Sequence, residues 1–150
     1  MRLVIGSDDR APLVDTIVEA ARAEGHEVEV LGPPAGGGEE WAQVGQMVAR
    51  RVADGDADYG VVCCWSGTGV SIAANKVPGV RAALCADAET ARMARKYNHA
   101  NVLALSMRAT AQTVGREILE AFLTAPAGED DFDTRNVAHV EGIPGGDRPG

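Results

Sequence analysis

Five times along the chain a short apolar run gives way to a turn and then to a stretch with helical periodicity, and that alternation points to βα units around a parallel sheet. Leu3-Val4-Ile5-Gly6-Ser7 is the first run; after Pro12, the residues Leu13, Ile17 and Ala21 share one helical face until Gly25 stops it. Residues 27–31 alternate as a strand does, the Gly- and Pro-rich residues 32–38 form a loop, and a second helix sets Trp41, Val44, Val48 and Val52 on one side. Tyr59-Gly60-Val61-Val62-Cys63-Cys64 is apolar throughout, as a strand covered on both faces must be. Residues 80–85 form a fourth strand, with Asp87 capping a helix through Met93 to about Tyr97. Residues 102–106 form the fifth, and a helix from about Ala109 aligns Val114, Ile118 and Phe122 before Pro126 and Gly128 end it. The predicted class is α/β, a Rossmann-like three-layer sandwich with a five-stranded parallel sheet.

With 150 residues, 45% of them hydrophobic, one domain over residues 1–143 is expected. Residues 132–143 should dock on it, and residues 144–150, rich in Gly and Pro, should be a disordered tail. A net charge of -8 argues against nucleic-acid or membrane partners, and any anionic ligand needs a local positive site. No apolar run reaches the ~18 residues of a membrane span, so the expected compartment is the cytoplasm. Three cysteines, two of them adjacent, suit neither a disulfide framework nor a paired metal site, and no metal or cofactor is expected.

In an open parallel sheet, ligands bind outside the carboxyl ends of the strands. The informative loops are therefore Ser7-Asp8-Asp9-Arg10, residues 64–69, Ala86-Asp87 and Ser106-Met107-Arg108. Cys64 near a helix start is either an activated thiol or a packed core residue, whereas Cys63 and Cys85 read as core. A cysteine phosphatase needs an arginine six residues after its thiolate, and Val70 stands there. Gly67-Thr68-Gly69 leaves the third strand, not the first, and Ile72 occupies the last glycine position of a dinucleotide loop. A response-regulator receiver needs an aspartate ending strand three and a lysine ending strand five, where this chain has Cys64 and Ser106. Two readings remain: a glycine turn of N–H donors for an anion or enolate oxygen, or a turn that only lets the chain reverse. Residues 97–101 enter strand five from its other end, so they serve such a site best from a neighbouring subunit.

Cys64-Trp65-Ser66-Gly67-Thr68-Gly69-Val70-Ser71-Ile72-Ala73-Ala74-Asn75-Lys76 resembles the C-G-T-G-x-G-x-S-I-A-A-N-K hallmark of the ribose-5-phosphate isomerase B and galactose-6-phosphate isomerase family. Residues 77–85 and 101–105 match that family closely as well, and the resemblance covers about residues 1–143. It implies a homodimer with shared sites that interconverts aldose and ketose phosphates through an enediolate. By resemblance, Cys64 is the base, Ser66, Gly67, Thr68 and Gly69 form the anion hole, Asp8 binds sugar hydroxyls, Asn98 binds substrate and Arg135 binds phosphate.

The departures from the family pattern gather at the ligand. Asp9 replaces the histidine of G-S-D-H, Tyr97 the ring-opening histidine, His99 the aspartate of H-N-D, and His139 the second phosphate arginine. Trp41 stands for the aromatic of the D-Y-P turn, Trp65 for the hallmark's first glycine and Ser66 for its threonine. The expectation is a sugar-phosphate isomerase of divergent substrate, with Tyr97 or His99 as the substitute catalytic group. The alternatives are a non-catalytic member that binds a sugar-like metabolite, and one subunit of a mixed isomerase dimer.

Overall fold

The computed structural model describes residues 1–142. The elements run β1 (Arg2–Ser7), α1 (Pro12–Ala23), β2 (Glu27–Leu31), a 3-10 turn (Pro33–Ala35), α2 (Trp41–Ala53), β3 (Tyr59–Cys64), α3 (Thr68–Asn75), β4 (Ala82–Leu84), α4 (Ala88–Asn98), β5 (Val102–Ser106), α5 (Gln112–Thr124) and α6 (Asp131–Glu141). The five strands are parallel in the order β2-β1-β3-β5-β4. The sequence alternation accounts for this class, because each helix returns the chain to the same end of the sheet.

Side chains alternate across the strands and divide the core in two. Leu3, Ile5, Val61, Cys63, Leu103 and Leu105 face α1, α4 and α5, where Ile17, Ile118 and Phe122 fill the layer. Val4, Val62, Cys64, Val102 and Ala104 face α2 and α3 through smaller groups. Gly45 belongs to that thinner layer: a Cβ there would stand 2.8 Å from Ala73 Cβ and 2.9 Å from the Val70 carbonyl oxygen. Small residues are thus what brings α2 up against α3.

Three local expectations change. β4 is three residues long instead of spanning 80–85, because side-chain amides take over where the ladder stops: Asn75 accepts from the Ala82 N–H at 2.8 Å and donates to the Ala82 carbonyl at 2.9 Å. Asn101 likewise accepts from the Arg81 N–H at 2.8 Å. α5 begins at Gln112, not Ala109, since Ser106 Oγ accepts from the Ala109 N–H and its carbonyl from the Thr110 N–H, which folds residues 106–110 into a turn. Trp41, expected on the inner face with Val44 and Val48, is 48% exposed and lies over Gly69. Residues 131–141 dock as a helix with no buried residue, tied by the Arg81–Glu141 ion pair and by the Gly128 N–H donating to the Lys96 carbonyl. Residues 144–150, expected as a disordered tail, lie outside the described residues. Among the described residues no helix is long and apolar enough to cross a membrane.

Candidate active site

Strand order fixes which loops meet. The chain leaves β1 toward β2 on one side and continues through β3 on the other, so the crevice outside the carboxyl ends of β1 and β3 is the switch point of the sheet. Asp8 follows β1 there and Cys64 ends β3, while β5 contributes Ser106 directly opposite Cys64.

Cys64 is 5% exposed and faces the α2–α3 layer. Its carbonyl accepts from the Met107 N–H at 3.0 Å, and that of Trp65 accepts from the Arg108 N–H at 2.9 Å and from Ser106 Oγ at 3.0 Å. The loop after the cysteine is therefore pinned to the end of β5. Trp65, which could have covered the thiol, instead projects outward and is 66% exposed. Gly67 then turns the chain with φ of 75°, a left-handed conformation that glycine adopts without penalty, and α3 begins at Thr68. The first turn of a helix has N–H groups without intrahelical acceptors, and α3 begins directly after the turn at 65–67 that follows the strand end carrying Cys64. Ser66 Oγ and Thr68 Oγ1 are hydrogen-bonded at 2.7 Å at the rim.

The other two thiols are held out of ionisation. Burial pushes Cys63 up to about 12 and Cys85 up to about 11, as expected of core cysteines. Burial also raises the Asp8 carboxyl above its ordinary range, with neighbouring Asp9 adding to it against a backbone hydrogen bond. Among the described residues, Asp8 Oδ1 is buried without a hydrogen-bond partner. Asp9 is exposed and accepts its neighbour's N–H, from Arg10, at 2.8 Å. A cavity of about 410 Å³ opens here, lined by Asp8, Pro33, Gly38, Glu39, Glu40 and Trp41. The Trp41 ring forms its wall: a Cβ on Gly69 would meet that ring at 2.8 Å.

The remaining candidates lie elsewhere on the chain. Four residue steps along β5 separate Ser106 from Val102, about 13 Å at ~3.3 Å per step, and Tyr97, Asn98 and His99 lie beyond that far end. A groove of about 620 Å³ follows the β4 edge between α4 and α6, and Tyr97, Asn98 and His139 line it together with Arg81. Arg135 is exposed on α6. His99 takes a left-handed conformation, φ 50°, and its Nε2–H donates to the Gly128 carbonyl at 2.8 Å. One chain thus gathers Cys64, Trp65, Ser66, Gly67, Thr68, Gly69, Asp8 and Trp41 around the switch-point crevice, and Tyr97, Asn98 and His139 along a second groove.

Three residues at these places escaped the sequence reading. Arg95 is 8% exposed, stacks at 4.5 Å on the Tyr59 ring, and donates to Tyr59 Oη at 2.7 Å and to the Ala100 carbonyl at 2.6 Å. It fixes the turn that carries Tyr97, Asn98 and His99. Burial lowers its basicity, and on a polar helix nothing in sequence distinguishes a buried arginine from a solvated one. Arg81 donates to the His99 carbonyl at 2.9 Å from inside what reads as a plain strand. Glu39 reads as a loop acid and instead borders the Asp8 cavity. Among the described residues, no group of three or more His, Cys, Asp or Glu side chains could hold a metal ion.

Comparison with known proteins adds the following. The model of the Ribose/Galactose Isomerase family matches residues 3–141. The chain is 39% identical over 126 residues to galactose-6-phosphate isomerase subunit LacB of Clostridium acetobutylicum, covering 83% of this chain and 73% of that protein. It is 35% identical over 127 residues to D-erythrulose-4-phosphate isomerase of Pectobacterium atrosepticum, covering 83% and 84%. The structure of Trypanosoma brucei type B ribose 5-phosphate isomerase superimposes with a TM-score of 0.86 at 42% identity, over 93% of this chain and 96% of that one.

Proposed function

The chain belongs to the ribose/galactose isomerase family, and from that premise we propose that it interconverts an aldose phosphate and a ketose phosphate at a site completed by two copies of itself. The observation that carries this reading is the split of the candidate residues: Cys64, Asp8 and Trp41 stand at the carboxyl end of the sheet, whereas Tyr97, Asn98 and His139 lie along a largely apolar groove between α4 and α6. The exposed apolar side chains Trp65, Ile72, Leu84, Met93 and Val140 support a twofold contact that sets the groove of one copy on the crevice of the other.

In the reaction, the Cys64 thiolate removes the proton on C2 of the open-chain aldose phosphate, and the electron pair moves onto the carbonyl oxygen to form an enediolate. The N–H groups opening α3, at Thr68 and Gly69, stabilise that oxygen in place of water. The hydroxyl pair of Ser66 and Thr68 passes the hydroxyl proton from one enediolate oxygen to the other, and the Cys64 thiol returns its proton to C1 to give the ketose. Asp8 accepts from sugar hydroxyls beside Asp9 and Trp41, and Trp65 covers the sugar from the exposed side. Asn98, Arg135 and His139 of the partner copy hold the phosphate end, and Tyr97 assists ring opening. Tyr97 is better placed for that step than His99, whose ring is already committed to the Gly128 carbonyl. Three reduced cysteines are consistent with work in the cytoplasm.

Mixing two inactive variants tests the shared site. In a twofold dimer, Cys64→Ala and Asn98→Ala damage opposite halves of each site, so a mixed dimer retains one intact site and the mixture should regain about a quarter of wild-type turnover. Absence of recovery from two folded variants would rule out the two-copy site. Turnover of ribose, allose, galactose and tetrose phosphates, followed by proton exchange with solvent, assigns the substrate. Similarity to a chain named as a subunit favours one further reading, a mixed dimer with a second family member, which predicts activity only on co-expression.

A further inference from the structure

α6 carries Arg135 and His139, yet none of its residues is buried, so apolar packing is not what seats it on the domain. Polar ties do so instead. Ahead of the helix, the Gly128 N–H donates to the Lys96 carbonyl at 2.9 Å, and the Gly128 carbonyl accepts from His99 Nε2–H at 2.8 Å. In its last turn, Glu141 pairs with Arg81 Nη1. The same guanidinium donates from Nε to the His99 carbonyl at 2.9 Å, and the Arg81 backbone N–H donates to Asn101 Oδ1 at 2.8 Å. Among the described residues, Arg81 is thus the one side chain bonded both to α6 and to the turn that follows Asn98.

We propose that Arg81 is a positioning residue for the phosphate end of the substrate: by holding Glu141 and the His99 carbonyl at once, it sets Arg135 and His139 on α6 at a fixed place relative to Asn98. This rests on the isomerase reading, which gives those three residues of one copy to the phosphate. Arg81 acts through them, with its donors spent on protein acceptors. An arginine suits the task because its planar fork reaches two acceptors in fixed directions, whereas a lysine ammonium swings on a flexible stem. A helix without buried residues is docked only as firmly as its ties allow, and a ligand that needs the docked form binds more weakly in proportion to the docked fraction. Loss of the Arg81–Glu141 pair therefore shows in affinity before it shows in global stability, to which a partly exposed ion pair contributes little.

The test is titration of the full-length protein with ribose 5-phosphate and with inorganic phosphate, comparing wild type, Glu141→Gln, Arg81→Lys, Arg81→Met and the double variant Arg81→Met/Glu141→Gln. Glu141→Gln should weaken both ligands by about three- to fivefold, the range that a partly exposed pair can transmit. Arg81→Met, which also frees the His99 carbonyl, should weaken them by about tenfold, with Arg81→Lys in between. The double variant should bind no worse than Arg81→Met, because the two residues act through one contact. Melting temperatures should fall by no more than about 5 °C, and where a sugar phosphate turns over, KM should rise with kcat held within about twofold, since Cys64 stands at the other end of the sheet. Should Arg81→Met not fold, Arg81→Lys takes its place in the cycle. Unchanged affinities in folded Glu141→Gln and Arg81→Lys overturn the proposal, as does an additive loss in the double variant. Tighter binding by Glu141→Gln overturns it too, since Arg81 would then be a phosphate ligand that Glu141 masks. Failure of wild type to bind either ligand overturns it as well. Affinities that follow Arg81 and Glu141, without turnover of any sugar phosphate by wild type, overturn the isomerase reading and leave the role of Arg81 standing.

Discussion

Replacing Gly67 by alanine separates backbone strain from site geometry in a single experiment. Gly67 has φ of 75°, and an L residue held there costs about 1–2 kcal/mol. The new Cβ would also stand 2.9 Å from the Leu105 carbonyl carbon and 3.0 Å from its oxygen. Those are backbone atoms of β5, registered there against Cys63 of β3, and they cannot yield as the nearby Leu84 side chain can. Ordinary contact begins at 3.4 Å, so the loop itself must retreat by about 0.5 Å. Overpacking of this kind adds about 1–3 kcal/mol, for a total of about 2–5 kcal/mol. For a chain of this size that is a melting temperature lower by roughly 5–20 °C, measured by calorimetry. Because the moved atoms are the N–H groups proposed to hold the enediolate, kcat should fall about tenfold or more, with KM changing less. Gly25→Ala is the control: its φ is 82°, nothing lies within 4 Å of its Cβ, and it is remote from the crevice. It should lose only the conformational part, about 1–2 kcal/mol, and keep full activity. Equal destabilisation of the two variants, with kcat of Gly67→Ala intact, would refute both the steric argument and the role given to the loop.

Cys64→Ser should reduce kcat by about 10²–10⁴-fold and leave sugar-phosphate binding in place, which isotope exchange and titration together report. Asp8→Asn should raise the melting temperature at neutral pH and leave it unchanged in strong acid. Burial raises the Asp8 carboxyl, so the folded chain holds that proton at pH values where the unfolded chain has released it, and the associated stability is lost as pH rises through the Asp8 titration. By the same sign, substrate binding that needs ionised Asp8 should weaken at a higher pH than an ordinary carboxylate would set. Ile72→Glu, at a side chain 60% exposed, should shift the protein to monomer in sedimentation velocity and abolish turnover while the single chain stays folded.

The strands were legible because a parallel strand buried on both faces must be apolar at every position, as residues 59–64 are. The α4 cap was legible too: Asp87 accepts from the Thr90 N–H at 2.7 Å, as its place before the helix implies. The end of the sheet that carries Cys64 and Asp8 follows from the same alternation. What did not follow is strand order, and with it the adjacency of the loops after β1, β3 and β5, since order depends on which helix covers which face. The length of β4 was hidden because the side chains of Asn75 and Asn101, outside the strand itself, take up the backbone groups at its start. Trp41 was misplaced because helical periodicity cannot tell a core position from one over a glycine on the next helix. Arg95 owes its partner Tyr59 to a distant strand, and no local pattern announces it.

Asn75 closes the edge strand of the sheet by offering both a donor and an acceptor to Ala82. An open strand edge is a template for other chains, and a three-residue strand with its flank already occupied is a poor one. The asparagine within the segment by which this chain is recognised thus occupies edge groups that another chain would otherwise find free. Kinship read from that segment and catalytic competence read from residues 64–69 can drift apart in evolution, since different hazards hold each of them in place.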